Sequence, residues 1–294
     1  MDTQAPLNAA SLRRVQARGL DFRVFDQGSG SPLLLLHGFP DDLHIWSAVI
    51  PPLLHAGYRV IAFDQRGCGE TSMPAATAQY RIRQIVDDIP ALLAALGVNQ
   101  PVNVIGHDWG AAIAWAFALY HPQQVQALVA VSVGHPRCYG RAGLQQKLVK
   151  GLYTLWFQLR GLAEWYLLRG GGLARWLGNE PDRARIVERM ARPGRLTAGL
   201  NWYRANLLDV VLGHWPRCSR PALGIWSSGD KFLTEAQMRD SATQMDAAWA
   251  YQRIEGCGHW IPREQPERLA ALALDWFSQH PVTGTGDGGA ANRD

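Results

Sequence analysis

Lysine and cysteine are scarce in this sequence of 294 residues, and each shortage narrows the functions that fit it. Only three of the 29 basic residues are lysine, and the arginines are scattered, so no basic run favours nucleic acid or a membrane as a partner despite the net charge of +4. The cysteines lie far apart, without the spacing of a metal site, at Cys68, Cys138, Cys218 and Cys257. We therefore expect no bound metal, reduced thiols and a cytoplasmic location.

Long apolar runs are missing as well. Residues 1–19 contain no apolar signal core, and no later run is long and uncharged enough to predict a transmembrane helix. Charged residues make up 18% of the chain and hydrophobic residues 47%, which excludes a disordered chain and favours a globular protein with a full core. Residues 283–294 are rich in glycine and alanine, and we expect them to form a disordered tail.

Short apolar segments and helical segments alternate along most of the chain. Residues 32–36 are wholly apolar, as expected of a strand that is buried on both faces. The helix expected at 45–55 should be short or kinked because Pro51 and Pro52 interrupt it. Together the pattern predicts an α/β protein with a mostly parallel sheet covered on both faces. The other strands are expected at 20–26, 58–63, 125–133, 222–226 and 250–254, and the other helices at 82–96, 235–245 and 266–277.

The alternation stops between residues 135 and 215, where aromatic residues are concentrated among helical segments. Four of the eight tyrosines lie there, together with Trp156, Trp165, Trp176 and Trp202. Glycines 170–172 follow no strand and precede no Lys-Ser/Thr step, so they predict a hinge or surface loop rather than a phosphate-binding loop. We interpret this region as a helical cap inserted after a strand. The chain would then consist of a core of residues 1–134 and 216–282 and a cap of residues 135–215.

Residues 103–110 read Asn-Val-Ile-Gly-His-Asp-Trp-Gly and predict a strand, a sharp turn and a helix. In a nucleophile elbow, small residues two before and two after the central residue let strand and helix cross closely. The central residue is usually serine, but here it is Asp108. A carboxylate is a weak acyl nucleophile, yet it can displace a leaving group at saturated carbon and form an ester. The plainer alternative is that Asp108 only caps the helix.

Two further polar residues, Asp230 and His259, follow predicted strands. Ligands of open parallel sheets bind at the carboxyl ends of strands, and the order nucleophile, acid, histidine is that of an α/β-hydrolase. Asp230 alone could be a turn former and His259 a buried structural histidine, but their joint occurrence favours catalysis. The N–H groups of Trp109 and Phe39 would form the oxyanion hole, with Pro40 restricting Phe39 to extended geometry.

Five motifs of this sequence resemble those of soluble epoxide hydrolases of the α/β-hydrolase superfamily. The motifs are His37-Gly38-Phe39-Pro40, Gly106-His107-Asp108-Trp109-Gly110, Leu200-Asn201-Trp202-Tyr203-Arg204, Gly229-Asp230-Lys231-Phe232 and Gly256-Cys257-Gly258-His259-Trp260. The resemblance spans residues 20–279 and corresponds to the hydrolase domain alone. It implies an α/β-hydrolase fold with a mostly parallel eight-stranded sheet and an inserted helical cap. It also implies detoxifying hydrolysis of an epoxide by water, no metal or organic cofactor, and a monomer or homodimer.

The cap separates this activity from that of haloalkane dehalogenases, which share the Asp-Trp elbow. An opening epoxide leaves a basic alkoxide that needs an acid, and the resemblance assigns this role to two cap tyrosines. Tyr203 matches one of them closely and Tyr153 matches the other more loosely, with Tyr139 and Tyr166 as rivals. Haloalkane dehalogenases commonly carry a halide-binding asparagine where this chain has Phe39.

The resemblance implies a two-step reaction. Asp108 attacks an epoxide carbon, and His259, oriented by Asp230, then activates the water that hydrolyses the ester. A haloalkane dehalogenase with the same triad is the first alternative, and a non-catalytic small-molecule receptor is a remote second. Predicted substrate-binding residues are His37, Pro40, Trp156, Trp202 and Trp260. Their rings suggest a bulky apolar or aromatic epoxide, although they could equally form the core of the cap.

Overall fold

An eight-stranded sheet forms the centre of the molecule. The computed structural model describes residue 7 and residues 9–141 and 152–281. The strand order is β1-β2-β4-β3-β5-β6-β7-β8, and only the β1–β2 and β2–β4 pairs are antiparallel. The predicted α/β fold with a mostly parallel sheet is therefore confirmed. The strands are β1 (Leu12–Ala17), β2 (Leu20–Gln27), β3 (Pro32–Leu36), β4 (Arg59–Phe63), β5 (Val102–His107), β6 (Val125–Val131), β7 (Ala222–Ser227) and β8 (Trp249–Ile254).

Both faces of the sheet are covered by helices. Successive side chains of a strand point to opposite faces, so Leu33 and Leu35 join one hydrophobic cluster and Leu34 and Leu36 join the other. The first cluster includes residues of α1 and α12, and the second includes residues of α2 and α3. The helices outside the insertion are α1 (Ile50–His55), α2 (Ile82–Ala95), α3 (Trp109–Tyr120), α10 (Glu235–Arg239), α11 (Ile261–Glu264) and α12 (Pro266–Gln279).

One predicted helix differs from the structure, and one strand was not predicted. Helix α1 is short, as its prolines predict, with proline in its first turn, where a missing N–H costs nothing. The helix predicted at 235–245 ends at Arg239 and continues as the 3-10 turn Asp240–Gln244. The strand that was not predicted is β1, a half-exposed edge strand. Its polar residues obscure the alternation of polar and apolar residues that identifies a strand. The predicted disordered tail lies outside the described residues.

Within the described residues, six helices are inserted between β6 and β7. They lie over the loops at the carboxyl edge of the sheet: Trp202 donates to the carbonyl of Arg66 and Asn206 to that of Tyr80. Arg204 of the last inserted helix binds Glu164 of another and the carbonyl of Phe157, which follows a third. The helices are α4 (Pro136–Arg141), α5 (Leu152–Trp156), α6 (Leu162–Leu168), α7 (Gly172–Leu177), α8 (Arg183–Ala191) and α9 (Arg195–Leu212). Across the described ranges, no helix is both long enough and apolar enough to cross a membrane.

Candidate active site

Asp108 lies at a sharp turn between β5 and α3. Its backbone has φ 55° and ψ −124°, a strained conformation for a residue with a side chain. A Cβ on Gly106 would lie 2.3 Å from the Gly110 carbonyl oxygen, and one on Gly110 would lie 1.9 Å from that of Leu36. Both positions therefore require glycine for strand and helix to cross. The side chain of Asp108 makes no capping bond to α3, contrary to the plainer alternative, and so its carboxylate is available to other partners.

The loop after β3 presents a backbone donor to this carboxylate. The Phe39 N–H donates to Asp108 Oδ1 at 2.9 Å. This approach needs Gly38, because a Cβ there would lie 2.4 Å from the same oxygen. Trp109 is the first residue of α3, so its N–H is one of the donors that have no partner within the helix. Both N–H groups expected to form the oxyanion hole thus lie beside Asp108.

Asp108, His259 and Asp230 come together at the carboxyl ends of β5, β7 and β8. His259 Nδ1 lies 2.9 Å from Asp230 Oδ2, and its Nε2 lies 3.6 Å from Asp108 Oδ2. The N–H groups of Phe232 and Leu233 both donate to Asp230 Oδ1, which fixes that carboxylate against the histidine ring. All three acid and base groups are buried.

The charge state of His259 follows from its two carboxylate neighbours. Burial alone would lower the pKa of His259, but Asp230 and then Asp108 outweigh it and raise the pKa to about 10. Burial would likewise raise the pKa of Asp230, but the charge of His259 and its hydrogen bond lower it below the usual value. The resting site is therefore an imidazolium between two carboxylates.

Two phenols face each other above the nucleophile. The rings of Tyr153 (α5) and Tyr203 (α9) pack edge to face, with centroids 6.0 Å apart. The Trp109 ring packs edge to face against Tyr203, with centroids 5.2 Å apart. Burial, followed by neighbouring tyrosines and Asp108, raises the pKa of both phenols well above 10. Both therefore keep their protons at neutral pH.

The two rival tyrosines lie in different surroundings. Tyr139 is close enough to raise the pKa of both Tyr153 and Tyr203. Tyr166 is 39% exposed and packs against Trp156, with Arg175 over its ring. Tyr139 therefore lies near the two phenols, whereas Tyr166 is partly exposed and packs among other residues of the inserted helices.

The five predicted substrate-binding residues make different kinds of contact. The His37 ring accepts the Gln65 N–H at 3.0 Å and contacts the carbonyl of Gly38, so it holds two loops together. Trp202 is fully buried and donates to the backbone of Arg66. The ring contacts of Trp156 are with Phe157 and Tyr166. Pro40 uses its carbonyl to bind Arg189, and the Trp260 ring lies 5.2 Å from that of His259. A role in binding substrate stays a prediction for all five.

Three aromatic residues that sequence reasoning left unassigned line the same space. Phe232 lies 5.0 Å from the His259 ring, Trp176 lies 4.9 Å from Phe232, and Phe157 lies 5.0 Å from Tyr203. Phe232 was recognisable as the second residue after Asp230. Trp176 and Phe157 come from the inserted helices, and nothing in their local sequence separates them from core residues.

A buried polar network joins the loop that carries His259 to the loop that carries Phe39. Asp41 accepts from Arg263 at 2.6 Å and from the Trp260 indole at 3.2 Å. Burial would raise the pKa of Asp41, but Arg263 outweighs it and lowers that pKa, so the carboxylate stays charged. His107 contacts the His259 carbonyl at 2.9 Å, and burial lowers its own pKa to about 4. His107 is thus a neutral support for the loop. In the described ranges, no three His, Cys, Asp or Glu side chains are grouped as metal ligands.

The chain is similar in sequence and in structure to known proteins. The family model for the alpha/beta hydrolase fold matches residues 31–266. Epoxide hydrolase 2 of Siraitia grosvenorii is 40% identical over 90% of this chain and 97% of its own length. Epoxide hydrolase A of Mycobacterium tuberculosis is 31% identical over 92% of this chain and 98% of its own length. The crystal structure of Epoxide Hydrolase A from Mycobacterium thermoresistibile has a TM-score of 0.79 at 27% identity and covers 92% of this chain and 99% of that one. The chain therefore belongs to the α/β-hydrolase family and, within it, to the epoxide hydrolases.

Proposed function

We propose that this protein converts epoxides to vicinal diols through an ester on Asp108. The observation that carries the proposal is the pair of protonated phenols, Tyr153 and Tyr203, packed together beside a carboxylate nucleophile. An epoxide bound between Asp108 and the two phenols would have the nucleophile on one side and the proton donors on the other. This arrangement suits a leaving group that stays in the same molecule and must be protonated.

In the first step, Asp108 Oδ2 is the attacking oxygen, because Oδ1 is already held by the Phe39 N–H. A bond forms between Oδ2 and an epoxide carbon while the bond from that carbon to the ring oxygen breaks. The ring oxygen takes a proton from Tyr203 or Tyr153. Attack needs no general base because the carboxylate is the reacting species.

The ester changes the charge on His259. Alkylation of Asp108 removes one of the two negative charges that raise the pKa of His259, so that pKa falls. The proton that leaves the imidazolium replaces the one lost by the tyrosine. His259 is then neutral and can accept a proton from water, as a general base with a pKa near the working pH should.

In the second step, this water attacks the ester carbon of Asp108. The negative charge develops on Oδ1, where the N–H groups of Phe39 and Trp109 stabilise it. Asp230 stabilises the imidazolium that forms. The diol oxygen then leaves and takes the proton of the new carboxyl group. Asp108 returns to a carboxylate and His259 to its protonated form, so the cycle balances.

The test is a His259→Gln variant, which should form the ester but not hydrolyse it. With styrene oxide it should consume about one epoxide per active site and gain the mass of one substrate. Peptide mapping should place that mass on Asp108. Asp108→Asn is the matched control and should gain no mass. Steady turnover by His259→Gln, or an adduct on another residue, would show that the two-step assignment is wrong.

The mass measurement and an assay of halide release together separate the alternatives. A non-catalytic receptor would bind the epoxide without any gain in mass. A haloalkane dehalogenase would release halide from short bromoalkanes and form no diol. Phe39 has no side-chain donor for a halide, which favours the epoxide.

Substrate class, location and domain boundaries remain part of the proposal. The aromatic lining formed by Phe157, Trp176 and Phe232 suits a bulky apolar or aromatic epoxide. A cytoplasmic location is supported by four free cysteines, all of them buried. We keep the domain boundaries at residues 134 and 215, since the six inserted helices that the structure describes lie between them. We also keep a monomer or homodimer as the expected oligomeric state.

A further inference from the structure

Large apolar side chains are exposed on helices α5 and α6 and on the turn between them. Within the described residues, eight large hydrophobic side chains are exposed, and six of them lie between residues 152 and 166. Single exposed apolar residues are common on folded proteins, whereas a larger patch marks a site of interaction. We call these six residues the apolar face: Leu152, Leu155, Leu159, Leu162, Trp165 and Tyr166.

Helical spacing places the residues of the apolar face on one side of the two helices. They follow one another at intervals of three and four residues, as neighbours on a helix surface do. Phe157, Ala163 and Leu167 lie between them in sequence, point inward and are buried. The rings of Trp156 and Tyr166 pack edge to face with centroids 4.9 Å apart, which brings α5 and α6 together. The exposed sides of the two helices therefore form one surface.

The exposed charges around the apolar face are all positive. Between residues 152 and 178 the exposed charged side chains are those of Arg160, Arg169 and Arg175. The single carboxylate of this segment, Glu164, is bound by Arg204 of α9, and its side chain is only 17% exposed. The three exposed arginines are separated by six residues or more of largely apolar sequence, so they form no basic run in the sequence.

These three arginines have no carboxylate partner among the described residues. Arg160 donates to the Thr77 hydroxyl at 3.0 Å, and Arg175 donates to the Gly170 carbonyl at 2.6 Å. Arg169 makes no side-chain hydrogen bond within the described part of the chain. A guanidinium has five N–H donors, so each of the three can still bind an anionic group. The apolar face is therefore bordered by positive charge that the fold does not neutralise.

We propose that the apolar face binds the surface of an anionic lipid membrane. Leucine and tryptophan side chains enter the boundary between headgroups and acyl chains, while arginine side chains bind the negative headgroups. A second copy of the chain fits this face less well. In an isologous contact the same face meets itself, and the unpaired arginines of the two copies would approach one another. An anionic partner with an apolar interior suits both the leucines and the arginines.

The apolar face and the candidate active site share helix α5. Tyr153 lies on the inner side of this helix, whereas Leu152 and Leu155 lie on its exposed side. A bulky apolar epoxide dissolves better in lipid than in water. Membrane binding would thus hold the site beside the phase that contains its substrate. This consequence rests on the proposed function, but membrane binding itself does not.

The test is co-sedimentation of the full chain with lipid vesicles in the absence of epoxide. Wild type should bind vesicles that contain about one third phosphatidylglycerol in phosphatidylcholine, and high salt should weaken this binding. Arg160→Gln/Arg169→Gln should weaken it about 25-fold, since each cationic residue near an anionic surface contributes about fivefold. Leu155→Ser/Trp165→Ser should weaken it by about tenfold or more, because less apolar surface is buried. Circular dichroism should show that both variants are folded, as expected for exposed positions.

Two control variants change side chains outside the apolar face and should bind vesicles as wild type does. Met73→Ser removes an exposed apolar side chain that lies outside the inserted helices. Arg217→Gln/Arg239→Gln removes the same charge as the arginine variant, from exposed ion pairs with Asp246 and Glu235.

Several results would overturn membrane binding by this face. They are absent binding by wild type, equal binding to vesicles of phosphatidylcholine alone, and equal weakening in the controls. Self-association that Leu155→Ser/Trp165→Ser abolishes, without vesicle binding, would assign the apolar face to a second copy and would also overturn the proposal. The vesicle assay uses no epoxide and the mass measurement on His259→Gln uses no vesicles, so the two proposals can fail independently.

Discussion

The pKa of His259 should fall sharply when Asp108 loses its charge. Asp108→Asn keeps the size of the side chain and the oxygen that accepts from Phe39, but it removes one of the two carboxylates beside the imidazole. Two unit charges 3.6 Å apart at an effective dielectric constant of about 20 interact by about 4.6 kcal/mol, or roughly 3 pKa units. The pKa of His259 is raised to about 10 in the resting protein, so we expect roughly 7 in the variant.

The assay is a pH titration of the ring nitrogens by NMR, with the signal assigned by its loss in His259→Gln. Asp87→Asn serves as the control, because it removes the partner of the more exposed His121 and should leave His259 unchanged. Equal His259 pKa values in wild type and Asp108→Asn would refute the reasoning. So would a wild-type His259 that titrates at its ordinary value of about 6.5. The ester has lost the same charge, so ester breakdown in wild type should depend on a group with a pKa of roughly 7.

Three further predictions concern the phenols, the oxyanion loop and the stability of the fold. Tyr203→Phe and Tyr153→Phe should each slow ester formation about 100- to 1000-fold in stopped-flow fluorescence, as loss of one oxyanion donor does, while Tyr166→Phe should not; an unaffected Tyr153→Phe would point to Tyr139. Gly38→Ala should lower the rates of ester formation and of ester hydrolysis while leaving the circular dichroism spectrum intact, because its Cβ would lie 2.4 Å from Asp108 Oδ1; wild-type rates would contradict this geometry. The raised pKa of His259 contributes stability that is fully present below about pH 6.5 and is lost as pH rises through about 10. The difference in unfolding free energy between wild type and His259→Gln, from urea denaturation, should therefore be smaller at high pH than at pH 6, and a constant difference would exclude the effect.

Local patterns predicted most of the sheet and the residues that meet at its carboxyl edge. Strand β3 could be predicted because burial on both faces leaves a wholly apolar run, and the elbow because its glycines are imposed by contacts within a few residues. Strand β1 could not, since an edge strand with one exposed face has no need of an apolar pattern. The helix predicted at 235–245 is divided because tertiary contacts of Gln237 and Ser241 with residues 132–135 override its local periodicity.

Contacts between distant segments account for what the sequence could not predict. Trp176 and Phe157 lie near Tyr203 because of the way α5, α7 and α9 pack. In the sequence, an aromatic residue that lines a site cannot be distinguished from one that packs in the core. Asp41 and Arg263 likewise look like ordinary surface charges until the fold places them in one buried pair.

The two halves of the proposed reaction draw on different parts of the molecule. The proton donors for ring opening, Tyr153 and Tyr203, belong to the inserted helices, whereas Asp230, His259 and the Phe39 N–H belong to loops of the sheet. The Asp41–Arg263–Trp260 network joins the loop of His259 to the loop of Phe39. Displacement of the inserted helices would therefore prevent ring opening of a new epoxide. It would still allow hydrolysis of an ester that has already formed. Variation among the inserted helices can accordingly change which epoxide enters while every substrate is released by the same chemistry.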